Sequence, residues 1–270
     1  MSNHDVTIEG EVVRKRYRRT RRGEPAREWA ALVLLDEHAP GLAPRPLARE
    51  TDPPVVVMSR VAGDPLDTVL TPGLLTAMVE AYRMLFAVPV QPDTPRRHWH
   101  PGAFLRNNAE WIEEEHIRTD LPDVVRRALA AARKWHADPP LGIDEIRDPV
   151  IAQGDGKVDN MLWDGSRVRL IDFEGFGVGD LAFEVADLVE HISSRLHGLR
   201  DPEAVIAGFE LCQARLERVE AYRIVLATFW LLVILPGNPG HGLNPESSDG
   251  LQAVHLLDLL EAAGVDTVEL

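Results

Sequence analysis

Cysteine is nearly absent from this chain: Cys212 is the only one in 270 residues. That excludes a disulfide framework and any structural zinc site built mainly from thiolates. Lysine is almost as scarce. Of 29 basic residues only Lys15, Lys134 and Lys157 are lysines, and an ammonium point charge does not replace a guanidinium fork at a phosphate site. Long apolar runs are missing too. The longest, residues 224–235, is too short to span a bilayer as a helix. The opening Met-Ser-Asn-His-Asp has no basic segment followed by an apolar one, so no secretory signal is read there. These absences together predict a soluble, cytoplasmic protein without a membrane partner.

What is present suffices for a sizeable core: 45% of residues are hydrophobic and 27% charged, enough for one large domain or two modest lobes. Charge is uneven. Residues 14–27 hold eight Lys or Arg against Glu24 alone, a local +7, so the remaining chain carries −21 of the net −14. So acidic a body repels nucleic acid and favours cationic partners or metal ions. The arginine-rich stretch from Arg14 to Arg22 reads as a solvated strand face rather than a nucleic-acid arm, although the latter would give steeply salt-dependent binding.

Residues 5–18 alternate loosely around Gly10 and predict two short strands with a turn. Pro25 opens a helical stripe through Trp29, Leu32 and Leu35 that ends before Pro40-Gly41. Pro54 to Arg60 is a β-branched run suited to a buried strand. Helices are expected from Thr71-Pro72 to Val88, over 103–117, 121–136, 202–216, 218–235 and 249–263, and near Leu181 to Ile192. A strand is expected at Val150 to Ala152, and a hairpin over Met161 to Asp172 turning at Asp164-Gly165.

The segment 150–172 carries the chemistry. Asp155 leaves a short strand on a glycine-flanked loop, Asn160 follows five residues on, and Asp172 ends the returning hairpin strand. Two carboxylates and a carboxamide thus converge at one end of a small sheet. Oxygen ligands of that kind suit Mg²⁺ shared with phosphate oxygens, and a carboxylate left over can accept a hydroxyl proton.

Asp155-x-Lys157-x-x-Asn160 followed by Ile171-Asp172-Phe173-Glu174 resembles the catalytic and metal loops of the protein-kinase-like fold. The continuation through Asp180, Asp187 and His191 is similar to the aminoglycoside phosphotransferase family of small-molecule kinases. Val57-Met58-Ser59-Arg60-Val61 resembles that family's hinge, and Lys15 with Glu28 its lysine strand and following helix. The resemblance implies an α+β, two-lobed fold. An N-terminal lobe of small antiparallel sheet, residues 1–61, would precede a mostly helical lobe, residues 62–270. It implies Asp155 as catalytic base with Lys157 near the transferred phosphoryl, and Asn160 and Asp172 holding Mg²⁺. Lys15, paired with Glu28, would touch the phosphates of ATP or GTP, and backbone groups of Met58, Ser59 and Val61 would meet the base. The acceptor it implies is a small hydroxyl compound, cationic in view of the acidic body, such as an aminoglycoside; amino alcohols, sugars and other antibiotics are alternatives.

The chain departs from that pattern twice. Gln153 stands where the family has histidine, and it is expected to hydrogen-bond a backbone group in the same way. Only Gly10 precedes Lys15, so the first strand and the phosphate-covering glycine loop are expected to be missing. A kinase-like protein that only binds its ligand is the competing expectation. His98-Trp99-His100 is read as a loop anchored by tryptophan, and Glu113-Glu114-Glu115 as a solvated helix face that could alternatively line an amine pocket.

Overall fold

The computed structural model describes residues 4–66, 71–197, 199 and 201–267. Strands β1 (His4–Glu9), β2 (Val12–Tyr17), β3 (Pro46–Thr51) and β4 (Pro54–Ser59) form an antiparallel sheet in the order β1-β2-β4-β3. Helix α1 (Glu24–His38) packs against β3 and β4. Alternation along β2 is decisive: Val13, Lys15 and Tyr17 turn inward, while Arg16 faces solvent, as does Arg18 just after the strand. The outer arginines behave as a solvated face, with Arg14 paired to Glu50 at 2.7 Å and Arg18 to Asp5. Residues Glu28, Ala31, Leu32 and Leu35 share the buried stripe of α1, so helical spacing drives a glutamate into the core beside Lys15.

Strand β3 was not foreseen. Its residues Pro46-Leu-Ala-Arg-Glu-Thr are mostly exposed and show no apolar alternation. It is an edge strand held by its ladder with β4, and proline is tolerated as its first residue.

After β5 (Asp64–Pro65) the chain becomes helical, with α2 (Pro72–Phe86), α3 (Pro101–Glu115) and α4 (Asp123–Ala137). Thr71 caps α2 by accepting from Leu74 N–H, with Pro72 at the first helical position. Two small sheets follow. Strand β6 (Pro149–Ala152) pairs with β9 (Gly177–Asp180), and β7 (Met161–Trp163) pairs with β8 (Val168–Leu170) and with β5. The remainder is α5 (Leu181–Glu190), α6 (Ile192–His197), α7 (Pro202–Gly208), α8 (Gln213–Ile234) and α9 (Ser248–Ala262).

The single helix expected over 202–216 is corrected. Helix α7 stops at Gly208, Glu210 takes a left-handed φ of 52°, and α8 starts afresh at Gln213. The run 224–235 forms the buried length of α8, against which α5 packs. The acidic triplet is partly corrected as well. Glu113 and Glu114 are exposed, but Glu115 is buried and bonded to Arg118 and Asn238. Among the described residues no helix is long and apolar enough to cross a membrane.

Candidate active site

The loop after β6 and the loop after β8 are pressed together through glycine. A Cβ on Gly154 would lie 2.3 Å from the Gly175 carbonyl oxygen, and one on Gly175 would lie 2.8 Å from that of Gly154. Gly154 also has a φ of 91°, so side chains are excluded here twice over. Gln153 stitches the same two segments. It accepts from Tyr82 Oη at 2.6 Å and donates from Nε2 to the Ile171 carbonyl at 2.5 Å, the backbone bond expected of it. Ile171 N–H in turn donates to the Asn160 carbonyl at 2.9 Å, which sets Asn160 beside the start of Asp172.

Two clefts flank the strip from Asp172 to Glu174. The first, about 250 Å³, is lined by Lys15, Glu28, Met58, Ser59, Val61 and Asp172 among others. Lys15 is 4% exposed. Its Nζ lies 2.7 Å from Glu28 Oε2 and 2.6 Å from Asp172 Oδ1. Burial by itself would lower the Lys15 ammonium, but Glu28 and Asp172 outweigh it and raise the group above its ordinary value. Burial pushes the Glu28 carboxyl up against the pull of Lys15. Tyr17 Oη also donates to Glu28. Asp172 sits at a φ of 62°, unusual for a residue with a side chain. At the end of β4, Ser59 N–H and Arg60 N–H are committed to the carbonyls of Arg45 and Glu11, whereas Val61 N–H has no backbone partner among the described residues.

The second cleft, about 490 Å³, contains Asp155 and Glu174. His191 Nε2 lies 3.2 Å from Asp155 Oδ1. The tautomer follows from the other nitrogen. Ser193 N–H points at His191 Nδ1 from 3.2 Å, so Nδ1 offers a lone pair and Nε2 holds the proton directed at Asp155. Burial would raise the Asp155 carboxyl; the bonds from His191 and from Lys157 N–H prevail and hold it below the ordinary range. The Lys157 side chain itself pairs with Asp159.

Arg97 is the functional-site residue that sequence reasoning missed. Fully buried, it pairs with Glu184 and with Asp187 at 3.1 Å, and donates to the Gly154 carbonyl at 3.3 Å. It thereby ties the Asp155 loop to α5. Burial pushes the Glu184 carboxyl up to about 7, against the opposing pull of Arg97. One arginine among so many carries no local signal. Asp180 caps α5 through Ala182 and Phe183 N–H, as a bracing residue would. Trp99 anchors its loop by packing on Phe104 and Phe229, with centroids 5.3 and 5.8 Å away.

A concavity of about 1030 Å³ between α3 and α4 contains none of these groups. Its Arg118, Arg126 and Arg133 are already paired with nearby carboxylates.

Residues 2–222 match the family described as "Phosphotransferase enzyme family". No curated protein matches the chain. Among solved structures, a choline/ethanolamine kinase family protein from Mesorhizobium loti is 17% identical with a TM-score of 0.64, over 97% of this chain and 86% of that one. The GDP and kanamycin complex of APH(2")-IIia is 17% identical with a TM-score of 0.65, over 97% and 90%. A macrolide 2'-phosphotransferase type I is 18% identical with a TM-score of 0.57, over 94% and 87%. At such identities the likeness establishes a shared α+β, kinase-like fold.

Proposed function

This chain belongs to the phosphotransferase enzyme family, and we propose that it moves the γ-phosphoryl group of ATP or GTP to a hydroxyl of a small molecule. The observation that carries this reading is the pair of clefts on one strip: buried Lys15 and Glu28 paired with half-buried Asp172 on one side and a hydrogen-bonded Asp155 on the other. The nucleotide would lie in the smaller cleft, between lobes divided at Val61, with Val61 N–H available to its base. The acceptor would lie in the larger one.

In this reading the acceptor oxygen attacks the γ-phosphorus, the bond from γ-phosphorus to the bridging oxygen breaks, and the nucleoside diphosphate leaves with that electron pair. The hydroxyl proton passes to Asp155. A carboxylate held below its ordinary range is a weak base, so its main task is to orient the hydroxyl and take the proton late. His191 fixes which Asp155 oxygen is used. Lys15 neutralises phosphate charge from a position that its ion pairs make rigid.

The donor set fits Mg²⁺. Asp172 bonds Lys15 through Oδ1 and keeps a second oxygen, and Asn160 makes no side-chain hydrogen bond among the described residues, its Nδ2 being buried without a partner, so its Oδ1 is free to serve as the second oxygen ligand. Two oxygen ligands suit an ion that takes few protein ligands and completes its shell with phosphate oxygens. When bound, that ion would neutralise charge on the phosphates.

The test is thermal unfolding of the chain with ATP or GTP, with and without Mg²⁺. A ligand at 100 times its dissociation constant stabilises by about 2.7 kcal/mol, an easily measured rise. A Mg²⁺-dependent rise is expected; no rise with either nucleotide at millimolar concentration would leave a kinase-like binding protein instead.

A further inference from the structure

The acidic body suggests a cationic acceptor, yet the cleft around Asp155 carries the opposite field at its far end. From Asp155 an unbroken series of contacts runs outward. His191 lies 3.2 Å from the carboxylate, and its ring is 4.5 Å from that of Trp230. Trp230 is 5.2 Å from Phe229, Phe229 is 5.8 Å from Trp99, and the guanidinium of Arg22 sits 5.7 Å above Trp99. The cleft therefore has a catalytic end, an aromatic floor and a guanidinium end.

Arg19 and Arg21 line the same cleft as Arg22. All three are exposed on the loop between β2 and α1. Their neighbours Arg14, on β2, and Arg18, just after it, are neutralised by Glu50 and Asp5, whereas no carboxylate lies within 4 Å of the guanidinium of Arg19, Arg21 or Arg22 among the described residues. Glu24, the nearby acid, is buried and accepts from the Arg22 backbone N–H. Burial together with the charges of Arg22 and Arg27 lowers the basicity of His98 at this end. Three further acids line the cleft, none of them at the guanidinium groups: Asp155 pairs with His191, Asp187 with the buried Arg97, and Glu174 Oε2 lies 3.4 Å from His4 and 3.8 Å from Lys15. Net charge summed over the whole chain does not describe this local field.

We infer that the acceptor is an anion with a flat apolar body: a hydroxyl at one end for Asp155, a ring over Trp230, Phe229 and Trp99, and a carboxylate or phosphate at Arg19, Arg21 and Arg22. Guanidinium is suited to both oxyanions because its fork donates in parallel, and a ring set among these three rings, tilted to one another by 50° and 72°, adds face and edge contacts to area burial. The inference rests on the assignment of Asp155 to the acceptor hydroxyl, but its anion end can be tested without any nucleotide.

Trp99 and Trp230 are two of six tryptophans and both line the cleft, so quenching of intrinsic fluorescence reports binding. The probes are 4-(hydroxymethyl)benzoate, 4-(hydroxymethyl)phenyl phosphate and the amine 4-(hydroxymethyl)benzylamine. Both anions should bind at least tenfold more tightly than the amine, and the tighter of the two identifies the oxyanion. Arg22→Gln should weaken anion binding about tenfold, Arg22→Lys less, and the triple reversal R19E/R21E/R22E should turn the preference toward the amine. Equal affinities, or a preference of the unaltered chain for the amine, would overturn the inference. So would a weakening of nucleotide binding by Arg22→Gln with anion binding kept, because the guanidinium groups would then serve the triphosphate. The Mg²⁺-dependent nucleotide rise separates the two readings: anion binding without that rise keeps the anion site and removes phosphotransfer, and the rise without anion preference does the reverse.

Discussion

The two clefts beside the Asp172–Glu174 strip are built by opposite rules. In the smaller one Lys15, Glu28 and Asp172 satisfy one another at 2.6 and 2.7 Å, and Lys15 and Glu28 are buried. In the larger one Asp155 has a fixed partner in His191, but three guanidinium groups line the space with no carboxylate paired to them, Arg22 lying over the half-buried Trp99. A closed set of charges positions groups for a constant ligand. An open set leaves its recognition energy to whatever completes it, which is where members of one fold can differ in substrate.

Replacing Asp155 probes the comparison most severely. Asp155→Asn should lower kcat by a factor of about 10² to 10⁴ while the nucleotide-induced rise in melting temperature persists. Unchanged turnover would remove Asp155 from the reaction and make the larger cleft a mere binding surface.

Opening the closed set comes next. Lys15→Met leaves Glu28 buried with no cation, and breaking a buried pair in this way costs about 3–5 kcal/mol. Urea unfolding should show that loss, and nucleotide stabilisation should vanish with it. A variant of native stability would mean that Glu28 is readily protonated and the set is not closed.

His191→Phe is a milder break on the open side. Without the Nε2 donor, the Asp155 carboxyl moves up toward its ordinary value. The acid limb of the kcat/KM profile, which falls as Asp155 takes up a proton, should therefore shift to higher pH, with the plateau lowered by about tenfold or less. An unmoved limb would show that His191 only packs.

His136, on α4 and remote from both clefts, serves as the reference. Burial lowers its imidazole to about 4 from 6.5. Between those values the unfolded chain takes up a proton that the native chain refuses, so stability should decline as pH falls from 6.5 toward 4 and level off below. Melting curves of His136→Phe should lack that decline while its pH-rate profile matches that of the unaltered chain. A shared change in both would mean that the helical region and the clefts are coupled.

Much of this was legible beforehand because it depends on short-range rules. Asp155, Asn160 and Asp172 lie within one strand–loop–hairpin segment whose turn, Asp164-Gly165, forces the return. The alternation that buries Lys15 and the stripe that buries Glu28 are likewise periodicities of single elements. Strand β3 was hidden because its partner, not its own pattern, makes it a strand. Arg97 was hidden because its carboxylates, Glu184 and Asp187, are some ninety positions away.

The amino-acid order by itself determined most of the elements, the placing of Asp155, Asn160 and Asp172 in one strand–loop–hairpin segment, and the scarcity of lysine that singled out Lys15. Tertiary structure decided what surrounds Asp155. It brought His191 to the carboxylate, assembled Trp99, Phe229 and Trp230 from α8 and the loop before α3 into one floor, and left three arginines unneutralised at its end. The physical reason is that charge and ring contacts act over a few ångströms of space, and segments far apart in a chain acquire such distances only when the core between them has packed.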